Sequence, residues 1–123
     1  MKSARLLILL GSIVLFLGGL AHALGYVKLF PMIAASNLRP DLVSALRCVW
    51  LVFSAHALLL SPALVWISRR PGTRSLLRYL MLIPLVDALL MYHFVGFFLG
   101  FYMLATATVL LTAGAWLMPA SEA

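Results

Sequence analysis

The chain has 123 residues, of which 65% are hydrophobic and 10% charged, and its mean hydropathy is +1.13. Soluble domains have about 45–50% apolar and about 25% charged residues, and disordered chains are still more polar, so both classes are excluded. Nine Lys and Arg against three Asp and Glu give a net charge of +6, but the cations lie at the ends of apolar runs, where they meet lipid headgroups. The sequence therefore predicts a single domain over residues 1–123 with the lipid bilayer as partner and no nucleic acid.

Four apolar segments are long enough to cross a bilayer as helices, since one span needs about 20 residues. We predict these helices at about residues 6–26, 42–67, 76–94 and 97–118. Because no water reaches the bilayer core to bind the backbone, helices are the expected form. The predicted fold class is all-α, a polytopic membrane protein built as a four-transmembrane-helix bundle.

The three connections are marked with different clarity. Residues 28–41 separate the first two helices, and Pro40 and Asp41 suit the first turn of the second. Residues 68–74 form a polar break that is rich in turn residues. The third connection, residues 92–100, has no formal charge, but its glycines and aromatic residues favour a tight turn at the membrane interface. One long kinked helix is the alternative there.

The cations also predict an orientation. Six of them fall on one side of a four-span topology, and two or three fall on the other. The six are Lys2, Arg5, Arg69, Arg70, Arg74 and Arg78. The positive-inside rule then places both termini in the cytoplasm. Residues 1–23 also fit a cleaved signal peptide that ends in an A-x-A site, which would leave three spans. The apolar run continues past that site, so we expect the first helix to be retained.

Small residues repeat along two of the predicted helices. Gly11, Gly18 and Gly25 are seven apart on the first helix. Gly100, Ala107 and Gly114 are seven apart on the fourth. Helices in lipid associate through close packing of small residues, so both stripes are predicted to face the bundle interior.

Ionisable residues within a span are costly and are therefore candidates for function. The five candidates are His22, Arg47, His56, Asp87 and His93. His56 lies 13 residues before Arg69, and Asp87 lies 13 residues after Arg74. At about 1.5 Å per residue both are about 20 Å from the same charged connection, so we predict a His56–Asp87 pair near the midplane.

The role of this pair stays open between two alternatives. One is a proton relay, an acid/base group or a ligand anchor, which would make Asp87 and His56 candidate catalytic residues. The other is an interhelical contact that fixes the bundle. His22, Arg47 and His93 lie nearer the opposite surface and are predicted to form an outer, ligand-binding cluster. The alternative for Arg47 is a side chain that extends to the headgroups, and the alternative for His22 and His93 is an ordinary polar residue at the membrane interface.

The sequence predicts no cofactor and no metal site. Two histidines can ligate haem or a metal ion in a bundle, but His56 has no second histidine at its depth, and His22 with His93 lacks a third ligand. Cys48 is the one cysteine, so we expect a small buried apolar residue and no internal disulfide. The tryptophans Trp50, Trp66 and Trp116 lie near span ends, as membrane-interface residues do.

Arg5, the apolar run with Gly18-Gly19, and His22 directly after it form the pattern of the first helix. In these features and in its length, the chain resembles the small four-helix bacterial membrane proteins of the DoxX-like group. The resemblance implies four spans in a bacterial inner membrane. It implies no single activity, because the group is functionally mixed, and Asp87 and His56 match no motif of it.

Two hypotheses of function follow. The first is a non-catalytic accessory or interaction protein that associates with another membrane protein or with itself, since the chain is small and its loops are short. The second is an intramembrane site for an apolar small molecule such as a quinone, a lipid or an isoprenoid, with Asp87 and His56 supplying acid/base chemistry or an anchor.

Overall fold

The computed structural model describes residues 2–119, and these residues form helices joined by short connections, without a strand. The helices are α1 (Lys2–Ala34), α2 (Pro40–Ile67), α3 (Arg74–Leu80), α4 (Leu82–Val95) and α5 (Leu99–Leu117). Because α3 and α4 together form one span, the described residues contain 4 helical segments long and apolar enough to cross a membrane. The all-α, four-helix fold class is confirmed.

The first helix is longer than predicted. It runs for 33 residues, about 50 Å at 1.5 Å per residue, and it includes Pro31. The prediction that residues 28–31 belong to a connection is therefore wrong. Pro31 leaves the carbonyl of Val27 without a helical donor and crowds it, and the helix ends within one turn, at Ala34. Packing against the start of α2, where Arg47 stacks on Phe30, keeps this part of the chain helical.

The third predicted helix is divided. A turn at Met81 separates α3 from α4, and Pro84 lies just after it. Pro84 has no N–H to donate to the carbonyl of Leu80, and its ring crowds that carbonyl. The break at Leu80 is the local result, and the two short helices still continue as one span.

The third connection is a tight turn, so the alternative of one long kinked helix is excluded. Gly96 ends α4 with a φ of 84°, a conformation that L side chains rarely adopt. Its N–H donates to the carbonyls of Met91 and Tyr92. Phe98 is extended and precedes the first residue of α5.

Helix α1 is the central element of the bundle, because both α2 and α5 pack along it. A Cβ built on Gly11 would lie 2.7 Å from the Leu111 side chain of α5, and one on Gly114 would lie 2.7 Å from the Ile8 side chain of α1. The two stripes therefore meet at these positions between α1 and α5, whereas Gly25 of the first stripe faces Trp50 of α2. On the other side of α1, Gly19 approaches Ala57 of α2.

The order of the contacts shows that neighbouring helices are antiparallel. The beginning of α1 meets the end of α5, and the end of α1 meets the beginning of α2. The span α3–α4 packs on α5. By contrast, α2 and α4 do not pack extensively against each other, so a gap remains between them.

Arginines and tryptophans mark one end of the bundle. The guanidinium of Arg70 lies over the ring of Trp66, and that of Arg78 lies over the ring of Trp116. These contacts agree with interfacial positions for both tryptophans. The prediction that Cys48 is buried is wrong, since it is exposed on the outside of α2. In a bilayer that surface faces hydrocarbon, so an apolar residue need not lie inside.

Candidate functional site

A cavity of about 230 Å³ lies where α1 meets α2, the end of α4 and the beginning of α5. Its wall is apolar except for two side chains, His22 and Trp50. The remaining lining residues are Val14, Leu15, Gly18, Gly19, Ala21, Phe53, Ala57, Met91, Phe98, Leu99, Gly100, Met103 and Leu104.

Gly18 makes room for this cavity. A Cβ on Gly18 would have Met103 as its nearest neighbour, at 3.9 Å, which is an ordinary van der Waals distance. Its neighbour Gly19 is in tight contact with α2, where a Cβ would lie 2.8 Å from that of Ala57. Two adjacent glycines thus have separate purposes, since Gly19 brings α2 close and Gly18 keeps the space beside it open.

His22 is held in place by several contacts with α2. Its ring stacks on Trp50 with 4.0 Å between centroids and meets the edge of Phe53 at 4.8 Å. Its Nδ1 lies 2.9 Å from the hydroxyl of Ser54. The indole Nε1 of Trp50 donates to the backbone carbonyl of His22 at 2.8 Å. The imidazole therefore has one fixed position on the cavity wall.

Trp50 is not an interfacial anchor of the kind predicted. Trp50 is half-buried, and its ring stacks on that of His22. Its N–H donates to the backbone carbonyl of His22. Proximity to a span end is a weak guide here, because α1 extends well past the level of Trp50 and covers it.

The structure brings His56 and Asp87 together across the gap between α2 and α4. His56 Nδ1 lies 3.8 Å from Asp87 Oδ2, and the two side chains are 37% and 23% exposed. This separation fits an ion pair but is too long for a hydrogen bond. Neither His56 nor Asp87 is among the residues that line the cavity.

The three residues of the predicted outer cluster have different surroundings. His22 lines the cavity. Arg47 is exposed and lies 3.4 Å from the ring centroid of Phe30, which agrees with the alternative of an arginine near the headgroups. His93 is exposed at the end of α4, with its ring against Phe94 at 4.7 Å. Among the contacts of residues 2–119, none joins His22, Arg47 or His93 to another of these three residues.

Sequence reasoning missed Ser54 and Trp50 as the partners of His22. The signal that leads to them is a stripe on α2 with alternating spacings of three and four. Its buried members are Ser54, Ala57, Ser61, Leu64 and Ser68. Such a stripe marks the face that packs on a neighbour, and Trp50 lies one turn before it.

The chemistry available at the cavity is that of a binding site with one polar contact. Within residues 2–119, no group of three or more His, Cys, Asp or Glu side chains is placed to hold a metal ion. His22 is the one titratable side chain in the described wall. Comparison of the chain with protein-family models, curated proteins and solved structures gives no significant match.

Proposed function

We propose that this protein is a small, non-catalytic integral membrane protein that binds an apolar molecule in the cavity beside His22. The observation that carries the proposal is the cavity itself, an apolar space of about 230 Å³ with a single positioned imidazole. Ligand sites commonly combine an apolar wall with a few fixed polar groups. Since His56 and Asp87 lie outside the wall, the proposal gives them a structural role rather than an acid/base one.

The size of the cavity limits what it holds. An engineered protein cavity of about 150 Å³ binds benzene, and pockets for drug-sized ligands are about 300–1,000 Å³. A space of about 230 Å³ therefore suits one substituted ring. A longer apolar tail of such a molecule would lie in the surrounding lipid.

The fluorescence of Trp50 tests this proposal, because the indole is part of the wall. Trp66 and Trp116 are 60% and 63% exposed, so each tolerates replacement by Phe, which leaves Trp50 as the single reporter. We expect 4-bromotoluene to quench Trp50 saturably in the purified protein. Gly18→Leu fills the cavity and abolishes the quenching, whereas the matched variant Gly18→Ala retains it. Quenching that rises linearly with the probe in the micelle, or that survives Gly18→Leu, contradicts the proposal.

Native mass spectrometry of the purified protein identifies the natural ligand as mass in excess of the chain. The same spectrum tests the first helix. Because α1 supplies Gly18 and His22 to the cavity, we expect a chain that retains residues 1–23. A chain that begins at Leu24 contradicts this expectation.

We also propose a location in the inner membrane of a bacterium, with both termini of the chain in the cytoplasm. Support comes from the excess of cations at one end of the bundle and from the resemblance of the first helix to the DoxX-like group. The resemblance itself remains part of the proposal.

A second candidate is an accessory protein, and one feature of α1 favours it. Helix α5 begins at Leu99, beside Gly18 and His22. Helix α1 continues for 12 residues beyond His22, about 18 Å at 1.5 Å per residue. This extension of α1 and the beginning of α2, which faces it, lie beyond the level of the α4–α5 turn. Both segments expose apolar side chains there. The most exposed are Leu24, Val27, Met32 and Val49.

Photocrosslinking at Val27 tests the accessory role. Val109 is the matched control, since Val27 and Val109 are 71% and 67% exposed but Val109 lies within the bundle span. An accessory protein gives a discrete protein adduct from a photoreactive residue at Val27 and only lipid adducts at Val109. Identical lipid adducts at both positions contradict this role.

A further inference from the structure

The hydrogen bonds around His22 specify which of its ring nitrogens carries the proton. The Ser54 hydroxyl donates to the backbone carbonyl of Trp50 at 3.0 Å. A serine hydroxyl has one hydrogen, so the same oxygen accepts from any other partner. Nδ1 of His22, 2.9 Å from that oxygen, is therefore the donor. In the neutral imidazole the proton is on Nδ1, and Nε2 has a free lone pair.

Nε2 is the polar atom that remains for a ligand. It has no hydrogen-bond partner among the described residues, and protein atoms do not enclose it completely. His22 borders the cavity. An apolar space with one accessible hydrogen-bond acceptor on its wall selects for a ligand with a donor, since an unpaired polar atom excluded from water is unfavourable.

The other polar groups of the wall strengthen this selection. The indole N–H of Trp50 is already bound to the carbonyl of His22, so neither polar side chain offers a free donor. Free donors do occur at the first turn of α5, where the N–H groups of Leu99 and Gly100 have no partner within the helix. A hydroxyl matches both kinds of group, because it is a donor for Nε2 and an acceptor for an N–H. A carbonyl leaves Nε2 unpaired.

The remaining wall favours an aromatic ring. Phe53 and Phe98 offer edges and faces to a ring, and Met91 and Met103 offer sulfur atoms. Aromatic rings pack well against both kinds of side chain. We infer that the cavity binds the head of a phenol- or quinol-type molecule, whose hydroxyl donates a hydrogen bond to Nε2 of His22; this inference rests on the proposed function.

Three brominated probes of similar size test the inference with Trp50 as the single tryptophan. They are 4-bromophenol, 4-bromotoluene and 4-bromoanisole, each measured at neutral pH and corrected for its partition into the micelle. We expect a dissociation constant for 4-bromophenol about tenfold lower than for either of the other two, the ratio that one hydrogen bond gives. In His22→Phe, which keeps an aromatic ring, the ratio falls to about one.

A second variant tests the tautomer without removing the imidazole. Ser54→Ala frees Nδ1, so that the ring adopts either tautomer and the preference for 4-bromophenol decreases. Ser61→Ala is the matched control. Ser61 is buried on the same face of α2 and makes the equivalent bond to the Ala57 carbonyl, but it does not line the cavity, so the preference stays unchanged.

The outcomes separate this inference from the proposed function. Saturable binding of all three probes with equal affinity overturns the inference and leaves the function intact. A preference for 4-bromoanisole also overturns it, because the cavity would then favour a ligand that accepts a hydrogen bond and does not donate one. If no probe quenches Trp50 saturably, the proposed function fails and the inference fails with it.

Discussion

Gly18 and Gly19 show how much depends on a single Cβ position. Both lie in the middle of α1, and one faces a cavity while the other touches Ala57. A methyl group on Gly19 would collide with another Cβ, which cannot move without its backbone. A methyl group on Gly18 meets only the flexible side chain of Met103 at an ordinary distance. The two positions therefore differ in their tolerance of alanine.

We predict that Gly19→Ala destabilises the protein by about 1–3 kcal/mol, the usual range for overpacking. Gly18→Ala is expected to be neutral, within about 0.5 kcal/mol. Ala57→Gly removes the atom that Gly19→Ala meets, so the double variant regains most of the loss. Unfolding of the purified parent protein and of each variant by denaturant in detergent measures these free energies of unfolding. Equal stability of the two single glycine variants contradicts the packing of α1 on α2.

At the level of elements, prolines have different effects in different helices. α1 and α2 continue through Pro31 and Pro62, whereas the third span divides just before Pro84. Pro84 is fully buried, so its ring is held in the bundle. The turn after α4 depends on Gly96 instead, because its positive φ reverses the chain within three residues.

We predict that Gly96→Ala destabilises the protein by about 1–3 kcal/mol, because a φ of 84° with a ψ of −155° is a conformation essentially restricted to glycine. No atom lies within 4 Å of the added Cβ, so the loss comes from the backbone alone. Gly96→Asn should lose about as much, since asparagine tolerates the αL region but not a positive φ combined with a ψ of −155°. Gly25→Ala is the helical control and should not destabilise. A Gly96→Ala variant as stable as the parent contradicts this turn.

The contact between α2 and α4 yields a second prediction at this level. His56 and Asp87 bridge a gap that has little other packing, at 3.8 Å. We expect a double-mutant cycle of His56→Ala and Asp87→Asn to give a coupling energy of about 0.6 kcal/mol, the average for polar pairs between membrane helices. The same cycle with His93→Ala in place of His56→Ala should give none. Zero coupling in both cycles contradicts the pair.

Across the whole molecule, α1 is the element on which the rest depends. It contacts α2 and α5 along its length, and both its packing faces use glycine. Because all neighbouring helices are antiparallel, the cations at the beginning of α1 and those between α2 and α4 share one end of the bundle. The extension of α1 with the beginning of α2 projects from the opposite end.

We predict that the connection after α1 faces the outside of the cell and the connection after α2 faces the cytoplasm. In a Cys48→Ala background, Asn37→Cys and Ser75→Cys place one thiol in each exposed region. A membrane-impermeant maleimide should label Asn37→Cys on intact cells and Ser75→Cys only after permeabilisation. The reverse pattern contradicts the orientation.

The sequence by itself determined the number and type of the spans. Length and hydrophobicity decide whether a segment crosses a bilayer, and both are local properties of the chain. It also predicted that the small-residue stripes of α1 and α5 face the bundle interior and that His56 lies near Asp87, because helical rise and period convert sequence spacing into height and face. That the two stripes pack on each other was visible only in the structure.

Only the tertiary structure decided where the cavity lies and which atoms form it. The position of His22 depends on the register of α1 against α2, which brings Ser54 and Trp50 to its ring. That register is set by the approach of Gly19 to Ala57, and two adjacent glycines look alike in a sequence. Inside lipid, apolar residues occupy both the outside and the core of the bundle. Hydrophobicity therefore does not separate the cavity wall from the lipid-facing surface, and only the packing of the helices does.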